Sequence, residues 1–406
     1  MQHGASLSML VPLRSTRMRI VLKINGKGSF LTVTKNKMTL TNQIENQTEK
    51  RKRKPRGFYK NRQGKGRFIK DYEQAALAFL GLHRPNDLCS YLKVDFYALQ
   101  DLIAKPSYRH YFIPKKSGGN RQIDAPNQLL KRIQKKMNRS LQGIYLGIQP
   151  TCAHGFVIHP RDQKKAANIV ENALPHIGKK QVLNLDLENF FPSIKAKRIR
   201  DLFKSDIFQF TENMANAITL LTTINGHLPQ GAPTSPVLSN LVCLPLDKQL
   251  MAWCEEREIN YTRYADDLSF SCDEPFTIEV ISGIRLIISQ HDFRVNEKKL
   301  RKRANNKKQT VTGLVVNEKV NVDRKLIKKV RAMLFDLRLN GIKAAAQKHY
   351  DSIELVSDKN CDVFLFKLKG YINFIGQVRG KKDAIYSKFL ESYQKLNNSL
   401  ISEPFF

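Results

Sequence analysis

The sequence predicts an α+β fold, and three observations carry that prediction. Apolar residues recur at helical spacing in both halves of the chain, two segments read as β-hairpins, and the short apolar run VLNLDL has the character of a buried strand. With 406 residues, 41% of them apolar, the chain suffices for one large domain or two to three ordinary ones.

Residues 1 to about 50 read as irregular, with some β-branched alternation between Ile20 and Val33 and possible starts at Met18 and Met38. The apolar piece at 7–13 is followed by Arg14, Arg17 and Arg19, where a secretion signal has small residues, so export is not expected. RKRKPRGFYKNRQGKGRFIK, at 51–70, carries ten basic residues and no acid, interleaved with Phe58, Tyr59 and Phe68. It reads either as an arm that neutralises phosphates and stacks bases or as a solvated linker. Residues 1–70 are thus expected to form a basic, flexible extension.

Beyond it, AALAFLGL and DLCSYLKVDFYALQDLI have helical spacing, and RHYFIPKK, a Ser-Gly-Gly-Asn turn and RQIDAP make a hairpin. A helix is expected from about 127 to 145, and HGFVIHPRD leads towards another. The strand in KKQVLNLDLENFF ends at Asp186. Two helical stretches, a turn at 227–236 and a helix through about 250 lead to short strands at 261–265 and 268–271, separated by Asp266-Asp267. RKLIKKVRAMLFDLRL and DVFLFKLKGYINFIGQV then place apolar residues on one helical face and basic ones opposite.

Lys+Arg 69 against Asp+Glu 36 gives a net charge of +33 and a pI near 9.9. Such a balance points to a polyanionic partner, nucleic acid before anionic lipid. Without the ten basic residues of 51–70 the charge is still +23, so the folded part is itself basic. No apolar run approaches the roughly 18 residues of a membrane span. The six cysteines are scattered singly, without a zinc-site spacing, which suits free thiols in the cytoplasm.

The acids are the chemical signal. Asp266 and Asp267 sit between apolar flanks in TRYADDLSFS, and Asp186 would lie beside them if the strands share a sheet. Carboxylates held together away from water repel unless a cation or a shared proton offsets them, and Mg²⁺ carrying nucleotide phosphates is a natural counterpart. Asp is also a common turn residue, so an Asp-Asp pair alone decides nothing.

Three motifs in order decide more. Tyr264-Ala265-Asp266-Asp267 resembles the Y-x-D-D signature of reverse transcriptases, and Asp186-Leu187-Glu188-Asn189-Phe190-Phe191-Pro192-Ser193-Ile194 resembles their first carboxylate motif. Between them, Leu228-Pro229-Gln230-Gly231-Ala232-Pro233-Thr234-Ser235-Pro236, followed by Leu238-Ser239-Asn240, resembles their template and nucleotide motif. The resemblance covers roughly 108–317. It implies a right-hand polymerase architecture, with fingers and an antiparallel palm sheet in 71–317 and a helical thumb in 318–406. It also implies an RNA-directed DNA polymerase using deoxynucleoside triphosphates and two Mg²⁺ ions, with Mn²⁺ as the alternative. By the same resemblance Asp186 and Asp266 bridge the metals, Asp267 supports the site, and the Leu187 carbonyl joins the coordination. Phe191 is the gate against ribose and Gln230 touches the incoming nucleotide. Arg121 holds the triphosphate from the hairpin turn. Lys298 lies near the leaving phosphate, or on a solvated face of the run KKLRKR.

Two smaller elements resemble the retron subgroup: Asn172-Ala173-Leu174-Pro175-His176, with the N-A-x-x-H pattern, and Val311-Thr312-Gly313. The subgroup implies RNA recognition by Asn172, His176, Val311, Thr312 and Gly313. It implies synthesis primed from an internal 2′-hydroxyl of a cognate noncoding RNA, a branched RNA–DNA product, and a role in anti-phage defence with a separate effector protein. The competing readings are a group II intron, diversity-generating or phage-exclusion reverse transcriptase, and a catalytically idle RNA-binding protein. No zinc or H-N-H nuclease motif follows the thumb segment, which counts against the intron type.

Overall fold

The computed structural model describes residues 19–24, 27–32, 65–115, 118–158, 168–350 and 358–402. The apolar piece at 7–13 and the arm residues 51–64 lie outside the described residues. The alternation after Ile20 forms an antiparallel hairpin of β1 (Arg19–Ile24) and β2 (Lys27–Thr32), where an irregular chain was expected. Beyond it the architecture is a mixture of helices and small open sheets. The chain divides into two compact units, 1–149 with 191–242 and 150–190 with 243–406.

In the first unit, helices Lys65–Leu80, Pro85–Leu92 and Phe96–Ala104 precede a hairpin of β3 (Tyr108–Pro114) and β4 (Asn120–Pro126). Its turn contains Gly118 and Gly119, both in the left-handed region, which a glycine adopts without a steric penalty. The expected helix runs over Gln128–Ile148 because the Asn127 side chain accepts from the Leu130 N–H at 2.8 Å, satisfying one orphan donor of its first turn. Phe79, Phe203, Phe208 and Phe210 pack edge-on and stacked into an aromatic core under helices Ala196–Lys204 and Glu212–Thr222. The helix expected through about 250 is two helices, Ser235–Val242 and Leu244–Glu255. Pro245, in the first turn of the second, lacks the N–H that would continue the first.

The second unit is built on an antiparallel sheet ordered β6 (Asn260–Tyr264), β7 (Asp267–Cys272), β5 (Gln181–Asp186), β8 (Arg301–Ala304). Central β5 is the apolar run read from the sequence, with Val182, Leu183 and Leu185 all buried. β9 (Thr310–Val311) and β10 (Leu314–Val315) form a separate hairpin through Thr312-Gly313, both residues at positive φ. Helices Arg324–Tyr350, Asp358–Arg379 and Ala384–Ser402 close a core around Val330, Phe364, Leu368 and Ile372, into which Val311 and Val316 also pack. Gly341, at φ 71°, interrupts the first of these helices. None of the six cysteines forms a disulfide. Among the described residues, no helix is long and apolar enough to cross a membrane.

Candidate active site

Asp186 is the last residue of β5 and Asp267 the first of β7, and the antiparallel register sets them directly opposite each other. Tyr264 pairs with Asp267 on the other side, so the loop between β6 and β7 is Ala265-Asp266. This corrects the expected loop of Asp266-Asp267: Asp267 belongs to a strand. Ala265 carries the positive φ of 59° that opens such a two-residue turn, a position glycine usually takes. The Leu187 N–H donates to the Asp266 carbonyl at 3.0 Å, and the Asn296 N–H donates to the Asp186 carbonyl at 2.8 Å. Backbone bonds therefore fix both carboxylate-bearing segments.

Gly155, which nothing in the sequence singled out, is what lets a neighbouring segment press against this turn. A Cβ there would stand 2.5 Å from the Ala265 nitrogen. Beneath the turn, Arg263 is fully buried and grips Asp247 through Nε at 2.7 Å and Nη2 at 2.6 Å. Its Nη1 donates to the Ala265 carbonyl at 3.1 Å, and the Tyr261 hydroxyl donates to Asp247 at 3.0 Å. A buried pair with its donors satisfied in this way makes a rigid support. Asp247 and Arg263 were also missed in the sequence, because fifteen intervening residues hide their contact.

Asp186 is largely buried, and Lys299 Nζ lies 2.9 and 3.0 Å from its two carboxylate oxygens. The expected lysine, Lys298, is exposed; the single turn Glu297–Lys299 presents the next residue to the carboxylate instead. Asp267 reaches solvent on one side, yet its pKa is pushed up to about 7. Protein packed around the carboxyl is the main cause, followed by the negative Asp266 and Asp186, with Lys299 opposing.

Among the described residues, no three His, Cys, Asp or Glu side chains converge as a ready metal cage. The donor set nevertheless fits a hard divalent cation: oxygen ligands, repulsion of Asp267 by Asp266 and Asp186 that a cation would relieve, and a lysine ammonium standing as a cation on Asp186. A pH dependence follows. Asp267 binds its proton near pH 7 when folded and near 3.8 by its ordinary value, so its contribution to stability is full below about pH 4 and fades as pH rises through about 7. In thermal melts without divalent cation, this group is expected to lower stability between about pH 5 and pH 8. Added Mg²⁺ should raise the melting temperature more at about pH 8 than at about pH 6, and Asp267→Asn should remove the difference.

A cleft of about 350 Å³ adjoins the carboxylates, lined by Asp186, Tyr264, Asp267, Lys299, Arg301 and Thr312 among others. Its lining carries both signs of charge.

Known proteins match this chain. A family model for reverse transcriptase (RNA-dependent DNA polymerase) matches residues 113–316, half of the chain. The retron Ec86 reverse transcriptase of Escherichia coli is 34% identical over 231 residues, which cover 56% of this chain and 69% of that one. The chain belongs to the retron-type bacterial reverse transcriptases. The retron Mx65 enzyme of Myxococcus xanthus is 34% identical over 265 residues, 60% of each chain. The retron Mx162 enzyme of the same organism is 32% identical over 263 residues, 56% of this chain and 52% of that one. This chain thus spans between about half and two thirds of the length of these retron relatives.

The retron elements fall inside the second unit. His176 is fully enclosed, with Nδ1 2.7 Å from Ser271 Oγ and Nε2 2.8 Å from Thr262 Oγ1. Thr262 donates its own proton to the Asn172 carbonyl at 3.1 Å, so Nε2–H is the donor to Thr262 and Nδ1 accepts from Ser271. Burial, with His154 nearby, lowers its pKa to about 3 and keeps it neutral. Asn172 and Val311 are as deeply buried. This corrects the expected RNA contact for Asn172, His176 and Val311: enclosed side chains do not reach a bound RNA, and His176 instead ties β6 to β7 behind the carboxylates. Thr312 and Gly313 are accessible, and both line the cleft.

The other residues expected at the site, Arg121, Phe191 and Gln230, belong to the first unit. Arg121 is exposed on β4, and the Gln230 carbonyl accepts from the Asp124 N–H on the same strand at 2.8 Å. A Cβ on Gly231 would collide with Ile123, so that approach requires glycine. Of the adjacent aromatics, Phe190 is buried and stacks on Phe293 at 5.8 Å, which leaves Phe191 half-buried.

Proposed function

We propose that this protein is an RNA-directed DNA polymerase that copies part of a cognate structured noncoding RNA, starting from an internal 2′-hydroxyl of that RNA, and leaves a branched multicopy single-stranded DNA. In this reading the first unit supplies fingers, the four-stranded sheet is the palm, and the three C-terminal helices are the thumb. The product serves anti-phage defence with a separate effector protein, in the cytoplasm. The observation that carries the polymerase chemistry is the direct opposition of Asp186 and Asp267 across β5 and β7, with Asp266 in the turn between β6 and β7.

Asp186, Asp266 and the Leu187 carbonyl would hold the metal ions, and Asp267 would tune the charge beside them. Bound Mg²⁺ would make the priming hydroxyl a better nucleophile and stabilise the leaving pyrophosphate. In this reading Lys299 takes the part expected of Lys298: it neutralises Asp186 in the resting site and would offer its ammonium to a bound triphosphate. Arg121 supplies a guanidinium fork for the triphosphate and Gln230 contacts the nucleotide. The support of Arg263 and His176 behind the turn limits movement of the carboxylates, which positioning chemistry demands.

Primer extension on poly(rA) with oligo(dT), Mg²⁺ and dTTP tests the polymerase reading; dTTP-dependent lengthening supports it, and none at any Mg²⁺ or Mn²⁺ concentration contradicts it. If Phe191 is the sugar gate, Phe191→Ala should raise incorporation of UTP relative to dTTP by about tenfold or more in that assay, a shift of ~1.4 kcal/mol. Unchanged discrimination would return Phe191 to a packing role.

A further inference from the structure

We propose that the groove between helices Arg324–Tyr350 and Ala384–Ser402 captures an unstacked nucleobase of the bound RNA, with Phe335 as its stacking platform. The inference rests on the RNA reading above and names a place where RNA is held. The groove has a volume of about 440 Å³. Leu334 and Phe389, both nearly buried, form its apolar floor, and Phe335, 52% exposed, forms a wall. Arg331, Arg338 and Lys388 stand exposed around it. Lys395 also lines it, held by Glu391 at 2.8 Å, and none of the lining residues is acidic.

The combination selects among occupants. An apolar helix would fill the floor but bring nothing to the cations, which would lose hydration without gaining partners. A regular duplex would bring phosphates to the cations but bury its bases in its own stack, leaving Phe335 and the floor uncovered. One splayed-out nucleotide satisfies both, with its base against the ring and the floor and its flanking phosphates on the basic rim. The Arg338 guanidinium already lies 5.8 Å from the Phe335 ring centroid, so the platform carries a cation beside its aromatic face. Stacking on an aromatic side chain tolerates any base, so the groove would read an open loop rather than a sequence.

Two probes separate these occupants in fluorescence anisotropy on the full chain: an RNA hairpin with an open loop, and the same stem as a blunt duplex. Phe335→Ala, at a half-exposed position, should weaken hairpin binding by about tenfold and duplex binding by less than about twofold, while Phe335→Trp should restore the hairpin. Equal loss on both probes, no loss on either, or loss that Trp does not rescue would overturn the proposal. So would a shift from dimer to monomer in sedimentation on Phe335→Ala, which would assign the groove to a second copy of the chain. The poly(rA) extension assay keeps the two readings apart. Wild-type failure there sinks the polymerase reading, whereas undiminished extension by Phe335→Ala together with lost hairpin preference supports the groove.

Discussion

Replacing Asp266 and Asp267 together by asparagine is expected to reduce DNA synthesis by about three orders of magnitude or more while leaving RNA affinity within about twofold. The asymmetry has a physical source. The substitutions keep side-chain volume and the β6–β7 turn, whose geometry rests on backbone bonds and on Arg263, but they remove the negative charge that would bind and orient Mg²⁺. RNA affinity depends instead on a protein surface with a net charge of +33, which two lost acids leave basic. Gel-shift titration alongside primer extension checks both halves. Synthesis surviving in the double variant would remove these residues from the metal site.

Arg263→Ala should destabilise the fold by about 3–5 kcal/mol, because it leaves the Asp247 carboxylate buried without its cation. Asp247→Ala should cost a similar amount from the other side. Replacing both, Asp247→Leu with Arg263→Met, is expected to recover much of that loss in urea unfolding, since buried ion pairs exchanged for apolar packing are often neutral. Activity should not recover with stability, because the Ala265 carbonyl still lacks the Arg263 donor and the turn bearing Asp266 is freed. Parallel recovery of both would reduce the pair to ordinary core.

What the sequence made legible was local. β5, the hairpin at Gly118-Gly119 and the helix capped by Asn127 follow from apolar period, turn chemistry and a cap, each written within a few residues. The three acids meet at one end of the sheet, as strand ends and motif order both indicate. What stayed hidden depends on contacts distant along the chain. The loop slides by one residue to Ala265-Asp266, with Gly155 against the Ala265 backbone and Arg263 bonded to its carbonyl. Lys299, rather than the expected Lys298, contacts Asp186 because a single turn after Asn296 sets which lysine faces it. His176 carries a motif that reads as exposed chemistry, but its partners Ser271 and Thr262 lie 95 and 86 residues away and enclose it. The β1–β2 pairing is not legible in the sequence because alternation with little apolar mass predicts a strand weakly.

The central claim, that this reverse transcriptase makes branched DNA on its own RNA, is tested most directly by expressing it with its native flanking DNA and sequencing the nucleic acid that copurifies, before and after RNase and debranching treatment. The account predicts a discrete short single-stranded DNA joined to one RNA through a 2′-linkage, absent when Asp266 and Asp267 are asparagine. Heterogeneous RNA alone, or DNA without a branch, would contradict it.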